Sequence, residues 1–315
     1  MNKIKIGIIG GAGYTAGELL RILIHHPNVE IGFVHSKSQA GKAVSSTHSD
    51  LFGDTDLVFT DQISPEIDVA FLCAGHGESV KILAENTFLK NIKIIDLSAD
   101  FRNQTNDFVY GLPEWQGEKI KNAQFIANPG CFATSIELGL LPLANEGLIK
   151  NEVHVSAVTG STGAGQGLSA TSHFSWRNNN LSIYKAFNHQ HLQEIGMVLG
   201  QPKINFIPYR GNFTRGIMAN MYTQFDGCIE DAYQLYQNFY QPHPFIHISR
   251  QAIDLKQVVN TNKCLISLEK NEDTLLITSI IDNLTKGASG QAVQNMNLMF
   301  GIDQTIGLRL KSVGF

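Results

Sequence analysis

The sequence predicts an α/β protein of two domains, a parallel-sheet domain followed by an α+β domain with a mixed, largely antiparallel sheet. Continuous apolar strand runs alternate with helical stretches in the first third, which indicates a parallel sheet buried on both faces. After about residue 150, long strand-like runs follow one another closely, which favours a mixed or antiparallel sheet. The 315 residues provide the length of about two domains.

Apolar periodicity places the elements of the first third. The predicted strands are residues 4–9, 29–34, 67–72 and 92–97, and the predicted helices are residues 13–26 and about 78–89. A further strand ends at Ala127. The Asn128-Pro129-Gly130 segment then predicts a tight turn into a helix that continues beyond Phe132.

The later part of the chain is predicted to be rich in strands. The predicted strands are residues 152–158, 204–208, 217–225, 264–268 and 274–281, followed by a helical tail over 286–300. Few helices separate these runs, as is typical of an α+β domain.

Composition excludes several classes of protein. Hydrophobic residues make up 43% and charged residues 17%, an ordinary globular balance. The net charge of −4, without a basic run, argues against nucleic acid or an acidic membrane surface as partner. No run approaches the roughly 20 apolar residues of a membrane span. The start, MNKIKIGIIGG, lacks the longer apolar stretch of a signal peptide, so we expect a cytoplasmic protein.

A glycine-rich turn, IGIIGGAGYTAGELLR, follows the first strand and opens the first helix. Gly10 and Gly13 permit the tight turn and let the backbone approach a pyrophosphate at the helix N-terminus, which predicts a Rossmann-type dinucleotide site. Tyr14 and Thr15, at the start of the helix, are further candidates for binding the cofactor. An ordinary packing role for the glycines is the alternative.

The end of the second strand predicts which dinucleotide binds. An NAD site usually has an acidic residue there to hold the ribose hydroxyls. This chain instead has Ser36, Lys37 and Ser38, and hydroxyls with a cation suit a 2′-phosphate. We therefore expect NADP(H), with Ser36 and Ser38 as ligands. A solvated loop is the alternative.

One cysteine has an unusual setting. In IANPGCFATSIELGLLP, Cys131 lies at the predicted first turn of a helix, where unpaired N–H groups and the helix dipole favour the thiolate. Cys73, Cys228 and Cys264 lie in apolar strand-like runs, where a packing role is expected. The wide spacing of the four cysteines, with no CxxC pair, favours free thiols over a disulfide frame or a zinc site.

Four segments together resemble the N-acetyl-gamma-glutamyl-phosphate reductases of arginine biosynthesis. They are DLSADFR (96–102), YGLPE (110–114), NPGCFAT (128–134) and DNLTKGASGQAVQNMN (282–297). The likeness runs from residue 7 to about 300 in family order. It implies an NADP-binding domain over 1–130, rejoined by a C-terminal helix over 286–315. It also implies a catalytic, substrate-binding and oligomerisation domain over 131–285, and a homodimer or homotetramer.

The resemblance implies reduction of a small-molecule acyl phosphate to an aldehyde by NADPH. Cys131 would attack as thiolate, expel phosphate and form a thioester, which hydride then reduces. The family's His-x-His-x-x-Glu-Ile segment is matched by NHQHLQEI (188–195), so His191 and His189 are the candidate bases, with His191 ranked first. Gln190 and Gln193 depart from the family pattern and leave open which imidazole faces the thiol.

The resemblance also assigns binding residues. For the substrate it implies Ser98, Arg102, Asn128 and Arg215, since a phosphate and a carboxylate suit arginines. Near the nicotinamide it implies Gly163, in the STGAGQG loop, and Gln291. No metal site is implied. Surface placement of the arginines and a helix cap at the last segment are the alternatives.

Three other hypotheses about the function remain. Arg210 and Arg177 are cations that the family pattern does not match, and they motivate the hypothesis that the N-acyl group carries its own carboxylate, for example succinyl instead of acetyl. An aspartate-semialdehyde dehydrogenase is disfavoured because those enzymes, similar in fold and chemistry, have asparagine directly before the cysteine, where this chain has Gly130. A non-catalytic dinucleotide-binding redox sensor, with Cys131 merely oxidisable, is the third.

Overall fold

The computed structural model of the protein describes residues 3–75, 77–105 and 107–314. Its strands, in chain order, are β1 (Ile4–Ile9), β2 (Val29–His35), β3 (Phe59–Thr60), β4 (Val69–Leu72), β5 (Lys93–Asp96), β6 (Phe108–Tyr110), β7 (Phe125–Ala127), β8 (Val153–Thr159), β9 (Ser182–Ile183), β10 (Ile204–Arg210), β11 (Ile217–Gln224), β12 (Ile246–Ser249), β13 (Cys264–Asn271) and β14 (Thr274–Ile281). Its α-helices are α1 (Tyr14–Leu23), α2 (Glu78–Glu85), α3 (Pro113–Lys121), α4 (Cys131–Asn145), α5 (Phe174–Arg177), α6 (Leu192–Leu199), α7 (Ile229–Tyr240) and α8 (Gly290–Met299).

The chain divides into two compact units. One comprises Met1–Pro129 with Ala288–Arg309, and the other comprises Gly130–Gly287 with Leu310–Phe315. The first unit therefore contains β1 to β7, α1 to α3 and α8, and the second contains the remaining strands and helices.

The predicted C-terminal helix over 286–315 is too long. A π-helical turn at Thr285–Ser289 precedes α8, which ends at Met299, and residues 300–314 contain no helix. Gly301 has a φ of +66°, the left-handed conformation that commonly ends a helix and that glycine adopts without steric penalty. The apolar content of the segment beyond Gly301 reflects packing of irregular chain rather than a helical period.

The first unit is built on a parallel sheet, as predicted. Its seven strands lie in the order β3-β2-β1-β4-β5-β7-β6, and every neighbouring pair is parallel. A parallel sheet requires cover on both faces, and all four residues of β4 are buried accordingly. The short strands β3 and β6 escape prediction, because two or three residues show no period.

The second unit contains a mixed sheet, also as predicted. Its seven strands lie in the order β12-β13-β14-β11-β8-β10-β9. Strand β10 is parallel to β8 and β12 is parallel to β13, whereas the other four neighbouring pairs are antiparallel. The long strands match their predicted positions to within three residues at each end, and β14 matches at both ends.

Helix α4 is the central helix of the second unit and packs on β11 and β14. All its residues from Phe132 to Leu143 are buried. Gly139 allows this close packing, because a Cβ there would overlap a side chain of β11. From α7, the Tyr236 hydroxyl donates a hydrogen bond to the Gly139 carbonyl at 2.6 Å. These contacts fix the helix whose first residue is Cys131.

Candidate active site

The thiol of Cys131 lies at the first residue of α4, in the second unit. Gly130 precedes it in extended conformation, and the Gly130 carbonyl accepts a helical hydrogen bond from the Thr134 N–H at 2.8 Å. The cysteine is partly exposed. The N–H groups and dipole of the first turn stabilise an anionic sulfur at this place.

Cys73 and Cys264 lack this setting, whereas Cys228 is the N-cap residue of α7 and its N–H group donates to the Asp231 carboxylate at 2.7 Å. Burial raises the pKa of Cys73 to about 12, and Cys264 is buried within β13. Cys228 is exposed and precedes α7, so its expected place inside an apolar strand is wrong. The apolar run before it ends at β11, and the chain turns before Cys228.

Glu194 joins the histidine segment to the start of α4. Its Oε2 accepts a hydrogen bond from the Gly130 N–H at 3.0 Å, and its Oε1 lies 3.8 Å from the His191 Nε2. The carboxylate and the imidazole are both buried. A carboxylate at this distance favours the protonated imidazole. The arrangement therefore gives His191 a partner for a positive charge, close to the helix that carries the thiol.

His189 is held as a neutral imidazole. Burial, with the nearby charges of Lys185 and Arg210, lowers the pKa of His189 to about 4. Its Nδ1 accepts a hydrogen bond from the His191 N–H at 3.2 Å, so the neutral ring carries its proton on Nε2. The ring lies 5.5 Å from that of Phe132, the residue after the thiol. His189 is therefore arranged to donate a hydrogen bond rather than to accept a proton near neutral pH.

Arg215 forms an ion pair within the second unit. Its Nε and Nη2 lie 3.0 and 3.1 Å from the two carboxylate oxygens of Asp282, which is fully buried. Asp282 also accepts hydrogen bonds from the N–H groups of Leu284 and Thr285. The pair thereby shapes the turn that leads to Gly287.

Gly287 brings that turn against the thiol residue. A Cβ added to Gly287 would lie 2.9 Å from the Cβ of Cys131, closer than side-chain carbons approach one another. Only glycine fits without a shift of the backbone.

The loop containing Gly163 is exposed and anchored from one side. Asn283 connects it to the turn described above, donating to the Thr162 Oγ at 3.0 Å and accepting from the Gly216 N–H at 2.8 Å. The Thr162 hydroxyl donates in turn to the Thr214 carbonyl. The backbone of the loop is thus fixed, and the N–H groups of Ser161, Thr162 and Gly163 donate to carbonyls of the same unit.

In the first unit, Gly10 and Gly13 form the turn between β1 and α1. Gly10 has a φ of +85°, and a Cβ on it would lie 2.8 Å from the backbone of Cys73 and Ala74. Gly13 is the N-cap residue of α1, and a Cβ on it would meet nothing closer than 3.9 Å. The glycine-rich turn therefore needs its first glycine for the fold, while the second leaves open space at the helix N-terminus.

Tyr14 and Thr15 follow as the first residues of α1, and Tyr14 is 40% exposed. The Thr15 carbonyl accepts a hydrogen bond from the Ser289 hydroxyl at 2.8 Å. His48, which carries no sequence signal, supports the same turn, because its Nε2 lies 2.8 Å from the Gly11 carbonyl oxygen.

The end of β2 lies beside the glycine turn. The Gly10 and Gly11 N–H groups donate to the His35 carbonyl, the last residue of β2. Ser36 follows, buried, and its hydroxyl lies 3.5 Å from that of exposed Ser38. The structure thus brings these two hydroxyls next to the turn.

The predicted substrate residues of the first unit form one hydrogen-bonded group. Arg102 donates to the carbonyls of Asn128 and Leu97, and the Ser98 hydroxyl donates to Asp96 at 2.7 Å. Burial raises the pKa of Asp96, against the effect of these hydrogen bonds.

The first unit is made of two chain segments. Asn128 lies at the end of the first segment and Gln291 lies near the start of the second. Asn128 donates to the Ala288 carbonyl at 3.0 Å and accepts from Asn295 at 3.2 Å. Gln291 is fully buried near the start of α8.

Within each unit, most predicted site residues thus lie close together. In the second unit these are the thiol and both histidines, and in the first unit the glycine turn with Ser36 and Ser38. Sequence reasoning missed the roles of Glu194 and Asp282. Both stand inside segments that carry the resemblance, so their residue types were visible while their partners, 64 and 67 residues away, were not.

Among the residues that the structure describes, no helix is both long and apolar enough to cross a membrane.

Comparison with known proteins agrees with this arrangement. Residues 5–123 match the family model described as semialdehyde dehydrogenase, NAD binding domain, and residues 131–283 match semialdehyde dehydrogenase, dimerisation domain. The first unit therefore carries a domain that binds a nicotinamide dinucleotide. An aspartate semialdehyde dehydrogenase II from Vibrio cholerae, solved in complex with ASA, superposes with a TM-score of 0.78 at 18% identity, over 96% of this chain and 99% of that one. That likeness is one of fold.

Two sequence relatives are named N-acetyl-gamma-glutamyl-phosphate reductase. The protein from Christiangramia forsetii is 60% identical over 98% of this chain and 99% of its own length. The protein from Flavobacterium johnsoniae is 57% identical over 99% of this chain and 100% of its own length. At this identity over essentially the whole chain, the protein belongs to the N-acetyl-gamma-glutamyl-phosphate reductase family of semialdehyde dehydrogenases.

Proposed function

We propose that this protein reduces N-acetyl-gamma-glutamyl phosphate with NADPH, releasing N-acetylglutamate 5-semialdehyde and inorganic phosphate, in arginine biosynthesis. The observation that carries the proposal is the grouping at the N-terminus of α4. There a partly exposed Cys131 stands beside a segment in which Glu194 touches both Gly130 and His191.

Cys131 is the proposed nucleophile. Its thiolate attacks the γ-carbonyl carbon, the carbon–oxygen bond to phosphate breaks, and phosphate leaves with the electron pair, so a thioester forms. NADPH supplies the hydride that reduces this thioester. The sulfur then leaves as thiolate, again stabilised by the first turn of α4, and the aldehyde is released.

The two histidines take different proposed roles. His191 takes the thiol proton and holds it as an imidazolium beside the Glu194 carboxylate, 3.8 Å away. His189, neutral with its proton on Nε2, donates a hydrogen bond to the oxygen that becomes negative when the carbonyl is attacked. The structure thus supports the ranking of His191 above His189 as base.

The first unit fits the adenosine and pyrophosphate parts of NADP(H). Gly10 leaves no room for a Cβ, and the open N-terminus of α1 at Gly13 offers free amides to a pyrophosphate. Ser36, Lys37 and Ser38 follow β2 where an NAD site usually has a carboxylate. We propose these as 2′-phosphate ligands, with Tyr14, Thr15, Gly163 and Gln291 as further cofactor residues.

Substrate contact by Ser98, Arg102, Asn128 and Arg215 belongs to the same proposal, as does a cytoplasmic homodimer or homotetramer. The dimerisation-domain match over residues 131–283 supports the oligomer. Light scattering of the purified protein measures its state directly, and a monomer would contradict it.

The reverse reaction tests the function. N-acetylglutamate semialdehyde is mixed with NADP⁺ and varied inorganic phosphate, with wild-type protein, Cys131→Ser and Cys228→Ser as matched control, because Cys228 is an exposed thiol outside the site. We expect phosphate-dependent NADPH formation that Cys131→Ser abolishes and Cys228→Ser retains. NAD⁺ and aspartate semialdehyde in parallel arms test the cofactor and substrate choices. No turnover with any semialdehyde would contradict the proposal and favour a redox sensor.

A further inference from the structure

Arg210 is a cation on the same side of the second unit's sheet as the histidines. It ends β10, and alternate residues of a strand face the same side, so Arg210 faces the side of Phe206. The Phe206 ring lies 5.2 Å from that of Phe132 in α4 and 5.4 Å from that of His189. Arg210 therefore belongs to the side of the sheet where α4 and its thiol lie.

Arg210 is held at both its side chain and its backbone. It lies over the ring of Tyr184, 4.5 Å from the centroid, and that ring is 5.7 Å from His189. The backbone is fixed by Arg177, whose Nη1 donates to the Arg210 carbonyl at 2.6 Å and whose Nη2 donates to the Ser182 hydroxyl. Arg210 is thus a positioned group, unlike a loose surface arginine.

One hydrogen-bond donor of the Arg210 guanidinium nevertheless has no partner. The Nε is shielded from solvent and has no hydrogen-bond partner, and no carboxylate in the described part of the chain pairs with the guanidinium. Two other arginines of the same unit do have acidic partners, since Arg215 pairs with Asp282 and Arg250 with Glu230. A buried donor normally has an acceptor, so its partner is to be sought outside the chain.

The nature of that partner follows from the guanidinium. Its planar donors match the two oxygens of a carboxylate, and stacking on an aromatic ring keeps that geometry while leaving the edge open. Arg210 also contributes to the lowered pKa of His189, so it lies within electrostatic reach of that histidine.

We propose that Arg210 binds a carboxylate of the substrate. The proposal rests on the proposed function and deepens it. Two carboxylates offer the same chemistry: the α-carboxylate, which every such substrate has, and a terminal carboxylate on the N-acyl group, as in an N-succinyl compound.

Three semialdehydes separate these sources. The N-acetyl, N-butyryl and N-succinyl compounds share the α-carboxylate, and butyryl equals succinyl in carbon number without its charge. Each is assayed with wild type, Arg210→Leu, Arg210→Lys and Arg250→Leu. The last is a matched control, because Arg250 also stacks on a tyrosine, Tyr233, at 4.3 Å but is exposed and paired with Glu230.

We expect Arg210→Leu to lower kcat/KM about 10- to 100-fold, mainly through KM, as expected for loss of a charged hydrogen bond. Arg210→Lys retains part of the activity, and Arg250→Leu matches wild type. An equal loss of kcat/KM on all three compounds identifies the α-carboxylate as the group that Arg210 binds. A loss of kcat/KM confined to the N-succinyl compound identifies the terminal carboxylate of the acyl group as the one that Arg210 binds.

Unchanged kcat/KM on all three compounds would overturn the proposal, as would a rise confined to the KM for inorganic phosphate. If Arg210→Leu does not fold, Arg210→Lys decides alone: wild-type kinetics on every compound overturn the proposal. If wild type turns over none of the compounds, the proposed function fails separately. Calorimetric binding of N-acetylglutamate and N-succinylglutamate then tests Arg210, and an unchanged Kd for both in Arg210→Leu overturns its role.

Discussion

Replacing Glu194 by glutamine removes one charge from the site and keeps most of the geometry. The amide oxygen of glutamine still accepts the hydrogen bond from the Gly130 N–H, now 3.0 Å from a carboxylate oxygen. What disappears is the negative charge 3.8 Å from the His191 Nε2. The variant therefore separates the electrostatic role of Glu194 from its role in holding the start of α4.

The distance gives the size of the effect. Two unit charges about 4 Å apart interact by about 4 kcal/mol at an effective dielectric constant of 20. The glutamine amide recovers part of this as a dipole, so we expect about 2 kcal/mol less stabilisation of the imidazolium in the thiol-activating step. That corresponds to roughly a 30-fold lower kcat/KM.

The assay is phosphate-dependent NADP⁺ reduction, with urea unfolding of the same samples. Glu194→Gln should lose activity while its free energy of unfolding stays within about 1 kcal/mol of wild type. Glu194→Ala also leaves the Gly130 N–H without an acceptor, so it should lose a further 1–3 kcal/mol or so of stability. Glu152→Gln, a half-exposed glutamate of the same unit, is the control and should keep full activity. Activity of Glu194→Gln within threefold of wild type would refute the reasoning.

The remaining predictions concern His189, Gly287 and Gly10. Because the pKa of His189 falls from 6.5 to about 4 on folding, the unfolded chain binds the extra proton between these values, and stability falls as pH is lowered through this window. Between pH 7 and pH 5 this group should lower the free energy of unfolding of the wild type by about 2 kcal/mol. In urea unfolding at the two pH values, His189→Asn should therefore show a loss about 2 kcal/mol smaller than that of the wild type, and equal losses would contradict the assignment. Gly287→Ala places a Cβ 2.9 Å from that of Cys131 and should lower kcat, with about 1–3 kcal/mol lost in unfolding; wild-type turnover would argue against the close approach. Gly10→Ala forces a Cβ to within 2.8 Å of backbone at φ +85° and should raise the KM for NADP⁺ more than that for phosphate, measured in the same assay; an unchanged KM for NADP⁺ would count against this turn as the cofactor site.

Much of the fold could be predicted because its signals are local. A window of ten residues is enough to recognise the apolar runs of β1 and β14 and the turn before α4. The structure has all three where the sequence predicts them. The elements that the sequence predicts wrongly, or not at all, also have local causes. Strands β9 and β3 have two residues each, too few for a period, and the tail beyond Gly301 is apolar without being helical.

The candidate site was predictable in its residue types and less so in its partners. The helix-start position of Cys131 and the histidine pair follow from short motifs. The orphan Nε of Arg210 and the contact of Glu194 with Gly130 depend on strands and helices that the chain brings together over long separations, which a single sequence does not encode in any short pattern.

Arg215 illustrates how such long-range contacts change the meaning of a predicted site residue. The family resemblance implies that Arg215 binds the anionic substrate, with a surface arginine as the alternative. In the structure its guanidinium is bound to buried Asp282, which orders the turn ending at Gly287, against Cys131. Removing one partner of a buried pair leaves the other charge uncompensated, which destabilises by about 3–5 kcal/mol. Arg215 therefore orders the turn that lies against the thiol residue, whereas Arg210 has no acidic partner in the described part of the chain and is available for the proposed substrate contact.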